Sequence, residues 1–111
     1  MVQTLPRMDM ATAMLVALDD GLAGACITIL DDAGFRVVRV KHVAPACERM
    51  PVVMPQIVLV PSTLRRDEDE LLVDRCTAVG AELLRLAPDV DANALVHLLA
   101  SAAQTALSKP R

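Results

Sequence analysis

The sequence predicts a single α/β domain built on a parallel sheet of about four strands, with helices on both faces. The stretch from Gln56 to Pro61 is almost wholly apolar, too short for a buried helix, and rich in β-branched residues, as a central parallel strand requires. Apolar runs of strand length alternate with longer helix-like segments, which gives a βαβα order. Right-handed crossovers then predict the strand order 2-1-3-4, with the first and last helices on one face and the middle two on the other.

The composition limits the classes of function that this chain can have. The chain of 111 residues is 54% apolar, yet no apolar run approaches the roughly 20 residues of a membrane span. A net charge of −3 and a single aromatic residue, Phe35, argue against a nucleic-acid surface. The start lacks the features of a signal peptide, so a cytoplasmic protein is expected. The cysteines Cys26, Cys47 and Cys76 are expected to be reduced core residues.

The first strand and an acidic pair open the domain. Residues 1–10 have no clear period and are expected to form a loose N-terminal tail, so the domain itself is assigned to residues 11–111. Thr12 to Leu18 is a continuous apolar run that predicts a buried strand. Asp19 and Asp20 follow it as a short acidic loop, which is a possible cation site.

Two structures remain open for the next segment. Leu22 to Ala33 carries polar residues at helical spacing and predicts a helix that ends at Gly34. Alternatively, Ala25 to Leu30 is a strand, and residues 31–34 form a hairpin turn into the next strand. We favour the helix, because it preserves the alternation that a parallel sheet needs.

Phe35 to Lys41 predicts an edge strand whose cations guard against edge pairing. Ala44 to Met50 predicts a short helix with Pro45 near its start. The following segment, Met50 to Pro55, is oddly apolar for a connection. It is expected to fold under the sheet, the alternative being a methionine-lined docking patch.

A charged helix follows the central strand. Asp67 is expected to cap it, with Glu70 completing a capping box, and Gly80 ends it. Residues 81–86 form the predicted last strand, which lies at an edge of the sheet.

The final helix is predicted from Ala92 to Leu107, with Asp91 as its cap. Its polar stripe is narrow, so more apolar surface is present than one sheet face can cover. We therefore expect this helix to form a homodimer interface or to dock another signalling protein, with contributions from the last strand and the first helix. The interface residues are predicted to be Val96, Leu99, Ala100, Ala103 and Leu107.

Several stretches resemble response-regulator receiver domains along nearly the whole chain. Met14 to Asp20 resembles the family's first strand with its acidic pair, and Ile29 to Val38 resembles the end of its first helix and its second strand. Ala78 to Leu84 resembles the turn into its fifth strand. The resemblance implies a flavodoxin-like, receiver-like fold that lacks one helix-strand unit.

The resemblance also shows which receiver positions are degenerate. The phosphoacceptor Asp would fall at Pro61, which has no nucleophile, and the Lys that neutralises the phosphoryl group would be Ala87. Ser62 or Thr63 could stand at the family's hydroxyl position. Ala87-Pro88 replaces a Lys-Pro peptide that is commonly cis in the family, and the resemblance implies a cis bond here.

Asp19 and Asp20 match the family's Mg²⁺-binding acids, but two carboxylates without a third ligand or a phosphate make a poor Mg²⁺ site. Solvated loop acids are the other interpretation. No cofactor is expected. An enzyme is not expected either, because His42 and His97 are the only candidate bases for a cysteine nucleophile.

The sequence therefore predicts a phosphorylation-independent pseudo-receiver that acts as a protein-interaction or dimerisation module in bacterial signalling. The alternative is an α/β domain that senses a small ligand or nucleotide through the strand-end cleft near Asp19, Asp20 and Ser62.

Overall fold

The computed structural model describes residues 11–108, and for the last two of these only the backbone. The predicted N-terminal tail, residues 1–10, lies outside the described residues. Strands and helices alternate without exception: β1 (Thr12–Val16), α1 (Asp20–Asp32), β2 (Arg36–Val40), α2 (Val43–Val53), β3 (Ile57–Pro61), α3 (Arg66–Val79), β4 (Glu82–Leu86) and α4 (Ala92–Ser108).

The four strands form one parallel sheet in the order β2-β1-β3-β4, which confirms the predicted topology. In the register of the sheet, Leu15 of β1 lies beside Leu59 of β3. The hairpin alternative is wrong, because residues 25–30 lie within α1, which buries Ala23, Cys26 and Leu30 along one side of the helix. That spacing of three and four residues belongs to a helix, whereas a strand would bury alternate residues.

Two apolar layers sandwich the sheet. One face carries α1 and α4, whose buried side chains pack on Leu15, Ile57 and Leu59. The other face carries α2 and α3, which pack on Met14, Val16, Val58 and Val60. The predicted division of the helices between the faces is therefore confirmed. All four apolar side chains from Ile57 to Val60 are fully buried, and each such burial is worth about 1.5–3 kcal/mol relative to exposure.

The first strand is shorter than predicted, because the chain turns at Ala17. This residue has a φ of 61°, in the left-handed region that β strands do not use, while its N–H still donates to the Val40 carbonyl at 2.9 Å. The turn lets Asp19 cap α1 from just ahead of Asp20. As a result, α1 begins two residues earlier than the predicted start at Leu22.

The second helix is longer than predicted, because it continues through Pro51 to Val53. A proline removes one helical hydrogen bond, but the ladder continues beyond Pro51, since the Met54 N–H donates to the Met50 carbonyl at 2.8 Å. Met50 is fully buried, whereas Val52 is 86% exposed. The expectation that Met50 to Pro55 folds under the sheet is therefore wrong for Val52 and Met54.

The third helix has a different cap from the predicted one. Its N-cap is Arg65, and Asp67 lies inside the first turn, where it accepts hydrogen bonds from the Arg65 guanidinium. Glu70 binds Arg66, so the predicted capping box does not form. The predicted end of this helix at Gly80, with φ 77°, is confirmed.

The last helix begins as predicted, because the Asp91 carboxylate accepts a hydrogen bond from the Ala94 N–H at 2.7 Å. Within residues 11–108, no helix combines the length and the apolar character that crossing a membrane demands.

Candidate functional site at the carboxyl ends of the strands

The sheet brings the predicted site residues to one edge. Asp19 and Asp20 follow β1, Pro61 ends β3, and Ala87 follows β4. Because all strands are parallel, these carboxyl ends meet on the same side of the sheet, where ligands bind in open α/β folds. Ser62 links the end of β3 to the end of β4, since its N–H donates to the Leu86 carbonyl at 2.8 Å.

Pro61 is the last residue of the central strand β3 and lies beside Leu86 of β4. It offers neither a carboxylate nor an N–H. Ser62 and Thr63 after it are exposed, as is Ala87. Among the described residues, the end of the central strand therefore carries hydroxyl groups at Ser62 and Thr63 but no carboxylate, and Ala87 after β4 offers no ammonium group.

Asp19 serves the local backbone. Its Oδ1 accepts a hydrogen bond from the Leu22 N–H at 2.8 Å, and its carbonyl accepts one from Ala23 at the same distance. A side chain at this N-cap position satisfies an amide that the helix itself leaves free. Asp19, one of the two predicted metal ligands, thus uses Oδ1 to cap the N-terminus of α1.

Asp20 is neutralised by a residue that the sequence assigned to another role. Arg39 reaches from the edge strand β2 and places Nη2 2.7 Å from Asp20 Oδ1 and 3.0 Å from the Leu18 carbonyl oxygen. The hydrogen bond from Arg39, its charge and the more distant Lys41 hold the pKa of Asp20 below its ordinary value. The Arg39 side chain is 29% exposed, whereas that of Asp20 is 93% exposed.

The positive charge beside Asp20 is therefore the Arg39 side chain, whereas the sequence suggested a bound metal ion. The Arg39 Nε is buried and has no hydrogen-bond partner among the described residues. Within residues 11–108, no three His, Cys, Asp or Glu side chains gather in a way that could hold a metal ion. The signal in the sequence was the position of Arg39 in β2, because it shares a face with Val37, which packs against the layer containing α1.

The Ala87-Pro88 peptide bond is trans, as are the other peptide bonds in the described residues, so the cis bond implied by the resemblance is wrong. A trans bond is the ordinary preference of an X-Pro amide.

The cysteines lie apart from this edge and are not activated. All are buried, and burial raises the pKa of both Cys26 and Cys76 to about 11. A nucleophilic cysteine needs the opposite shift. His42 lies at the N-cap of α2 without a side-chain capping bond, and His97 is exposed on α4.

The predicted interface on α4 is only partly available. Leu99 and Ala103 are buried within the domain, where they belong to the layer shared with α1. Their assignment to an interface is wrong, because α1 already covers that side of α4. Val96 is 45% exposed and Ala100 is also exposed, while the side chain of Leu107 lies outside the described part of the chain.

No protein-family model matches the sequence, and no curated protein matches it either. Solved structures do match. The signal receiver domain of a LuxO repressor protein from Vibrio parahaemolyticus is 17% identical, with a TM-score of 0.62 over 87% of this chain and 92% of that chain. The pseudo-receiver domain of the CikA protein is 17% identical, with a TM-score of 0.58 over 91% and 99%.

A pilus assembly-related protein from Burkholderia pseudomallei is 18% identical, with a TM-score of 0.56 over 98% of this chain and 99% of that chain. Identities this low establish the fold and not the activity. The four parallel strands in the order 2-1-3-4, with helices on both faces, match the flavodoxin-like arrangement of these structures. In its fold, this chain is a receiver-like domain.

Proposed function

We propose that this domain is a phosphorylation-independent pseudo-receiver, which acts in the cytoplasm as a protein-interaction or dimerisation module in signal transduction. The observation that carries the proposal is Pro61 at the end of the central strand. Acyl-phosphate chemistry requires a carboxylate there as nucleophile, and Pro61 has none. Ala87, which follows Leu86, the β4 partner of Pro61, has no charge to neutralise a phosphoryl group.

The fixed Arg39–Asp20 pair supports the same proposal from the other side of the site. A receiver that takes up a phosphoryl group needs a divalent cation beside it, and Mg²⁺ is held by a few carboxylates together with phosphate oxygens. Here Asp20 is bound to a guanidinium and Asp19 caps a helix. The Arg39 guanidinium binds the Asp20 carboxylate, and the Asp19 carboxylate accepts a hydrogen bond from the backbone of α1.

The proposed mechanism is therefore constitutive docking. Without a phosphoryl group, phosphorylation cannot drive a population shift at this edge. The domain presents one surface to a second copy or to another signalling protein. The CikA domain named above is itself described as a pseudo-receiver, which supports this interpretation. We propose no catalytic role.

Sensing of a small ligand through the strand-end cleft is less well supported. Two of the three side chains assigned to it, Asp19 and Asp20, already have partners within the chain.

Thermal unfolding in the presence of Mg²⁺ and fluoroberyllate, an acyl-phosphate mimic, tests the proposal. The melting temperature of the wild type should be the same with and without both additives, while an active receiver domain measured alongside should be stabilised by mass action. The Asp20→Asn variant serves as the matched control for cation binding. A reproducible rise in the wild type that disappears in Asp20→Asn would contradict the proposal.

A further inference from the structure

The most exposed large apolar side chain among the described residues lies at the end of α2. Val52 is 86% exposed, and Met54 two residues later is 50% exposed. Scattered apolar residues are ordinary on a protein surface, whereas contiguous ones mark a contact site. We call the segment from Val52 to Met54 the α2 tip.

The α2 tip lies beside the point where β1 begins. The Gln56 N–H donates to the Thr12 carbonyl at 2.8 Å, and the Thr12 N–H donates to Gln56 Oε1 at the same distance. Val52 precedes Gln56 by only four residues, and α2 covers the sheet face to which Met14 points. The chain before Thr12 therefore enters the domain next to the α2 tip.

The alternation of side chains along β1 defines which of its sides faces α2. Met14 and Val16 point toward α2 and α3, while Ala13 and Leu15 point toward α1 and α4. Side chains of an extended segment alternate with a period of two. An extended continuation of β1 toward the N-terminus would therefore direct its even-numbered residues to the side of the α2 tip.

The residues just ahead of the described part of the chain have a matching pattern. Residues 1–10 as a whole have no clear period, but Pro6, Met8 and Met10 are apolar, and the alternate residues Arg7 and Asp9 are charged. In an extended segment the apolar side would face the α2 tip and the charged side would face away. Methionine suits such a contact, because its flexible thioether adapts to an irregular apolar surface.

We propose that residues 6–10, called the strap below, cover the α2 tip, with Met10 against Met54 and Met8 against Val52. Burial of these side chains removes exposed apolar surface from water. While the strap is in place, the α2 tip is closed to other partners.

The strap is long enough for these contacts. Four residues separate Met8 from Thr12, and four separate Val52 from Gln56; four extended residues span at most about 14 Å. Both segments leave from one point of the sheet, because Thr12 and Gln56 are hydrogen-bonded neighbours. This edge is opposite to the one that holds Pro61, so the strap is independent of the missing phosphoacceptor.

Tethering favours the strap over a separate partner. A segment joined to the domain by a short link has an effective concentration on the order of millimolar at a nearby surface. A second copy or another protein must reach a comparable concentration to compete for the α2 tip.

Disulfide trapping with oxidised glutathione tests the contact in the full chain. Met8→Cys combined with Val52→Cys should form a disulfide within one chain and release two molecules of reduced glutathione. Asp32→Cys is the matched control, because Asp32 is exposed at the end of α1, on the opposite face of the sheet, and lies four residues ahead of Arg36, which donates its N–H to the Ala11 carbonyl. Met8→Cys should link to Asp32→Cys at least about tenfold more slowly than to Val52→Cys.

Peptide mass mapping identifies the linked residues and separates them from the native cysteines Cys26, Cys47 and Cys76, which are buried. If circular dichroism shows that the variant with Val52→Cys is unfolded, Met10→Cys with Met54→Cys replaces it.

Trypsin cleavage after Arg7 gives a second measurement without added cysteines. Val52→Asp places a charge in the apolar contact and should speed this cleavage several-fold, because a released segment is cut more readily than a packed one. Val96→Asp, at an exposed position on α4, should leave the cleavage rate unchanged.

Equal rates of disulfide formation for the Val52 and Asp32 pairs would overturn the inference. A disulfide that joins two chains would also overturn it and would assign the α2 tip to a second copy. So would equal trypsin cleavage in the wild type and both aspartate variants.

Discussion

Substitution of Leu99 by alanine separates a core role from an interface role for α4. The sequence alone assigns Leu99 to an interface, but the structure buries it completely against α1 and the sheet. A buried Leu→Ala change removes apolar contacts and leaves a cavity, at a cost of about 2–5 kcal/mol. Val96 on the same helix is 45% exposed, and its change to alanine should alter stability by no more than about 0.5 kcal/mol.

The expected shift in melting temperature follows from the size of the domain. For a chain of this length, 1 kcal/mol corresponds to roughly 4 °C. Leu99→Ala should therefore lower the melting temperature by roughly 8–20 °C, and Val96→Ala by roughly 2 °C or less.

Urea titrations followed by circular dichroism at low protein concentration measure both variants as monomers. The urea midpoint should fall sharply for Leu99→Ala, with little change for Val96→Ala. If Leu99→Ala retained the wild-type midpoint and only reduced the mass measured at high concentration, Leu99 would belong to an interface and the packing of α4 described above would be wrong.

Three further predictions concern single groups. Gly24→Ala lies within α1, where an added Cβ meets nothing within 4 Å, and it should raise the free energy of unfolding by about 0.5–1 kcal/mol. Gly80→Ala must adopt a φ of 77° and should lower the free energy of unfolding by about 1–2 kcal/mol. Urea titration of both variants checks the two values. The hydrogen bond from Arg85 lowers the pKa of Asp69 below 3.8, so its contribution is fully present above that value and is lost as the pH falls through the lowered pKa. Asp69→Asn should therefore flatten the decline of melting temperature between about pH 5 and pH 2, and a decline as steep as in the wild type would contradict the pairing. Cys26, whose pKa is raised to about 11 by burial, should react with a thiol reagent only after denaturation; rapid labelling of the native protein would show that it is accessible.

The architecture was predictable because hydrophobic patterning encodes it directly. The run from Ile57 to Val60 is apolar on both faces, and only a central strand between two helical layers buries it fully. Gly80 and Asp91 marked helix ends because their local chemistry suffices to do so. Pro51 misled the prediction, since a proline lowers helix propensity without forbidding a further turn when the residues before it are well packed.

The candidate site was predictable in position but not in its contacts. The Arg39–Asp20 pair joins residues 19 positions apart. The strand pattern places Arg39 on the same face as Val37, but it does not show that the sheet brings Arg39 to Asp20. The interface assignment on α4 failed for a related reason. Apolar residues surround most of that helix, so periodicity could not show that α1 covers Leu99 and Ala103 while leaving Val96 exposed.

Mass spectrometry of the intact protein, after incubation with a small phosphodonor and Mg²⁺, tests whether Pro61 leaves the domain unable to form an acyl phosphate. We expect the wild type to keep its unmodified mass under conditions in which an active receiver domain gains one phosphoryl group. A stable phosphoryl group on the wild type, mapped to Asp19 or Asp20 and absent from the corresponding asparagine variant, would contradict it.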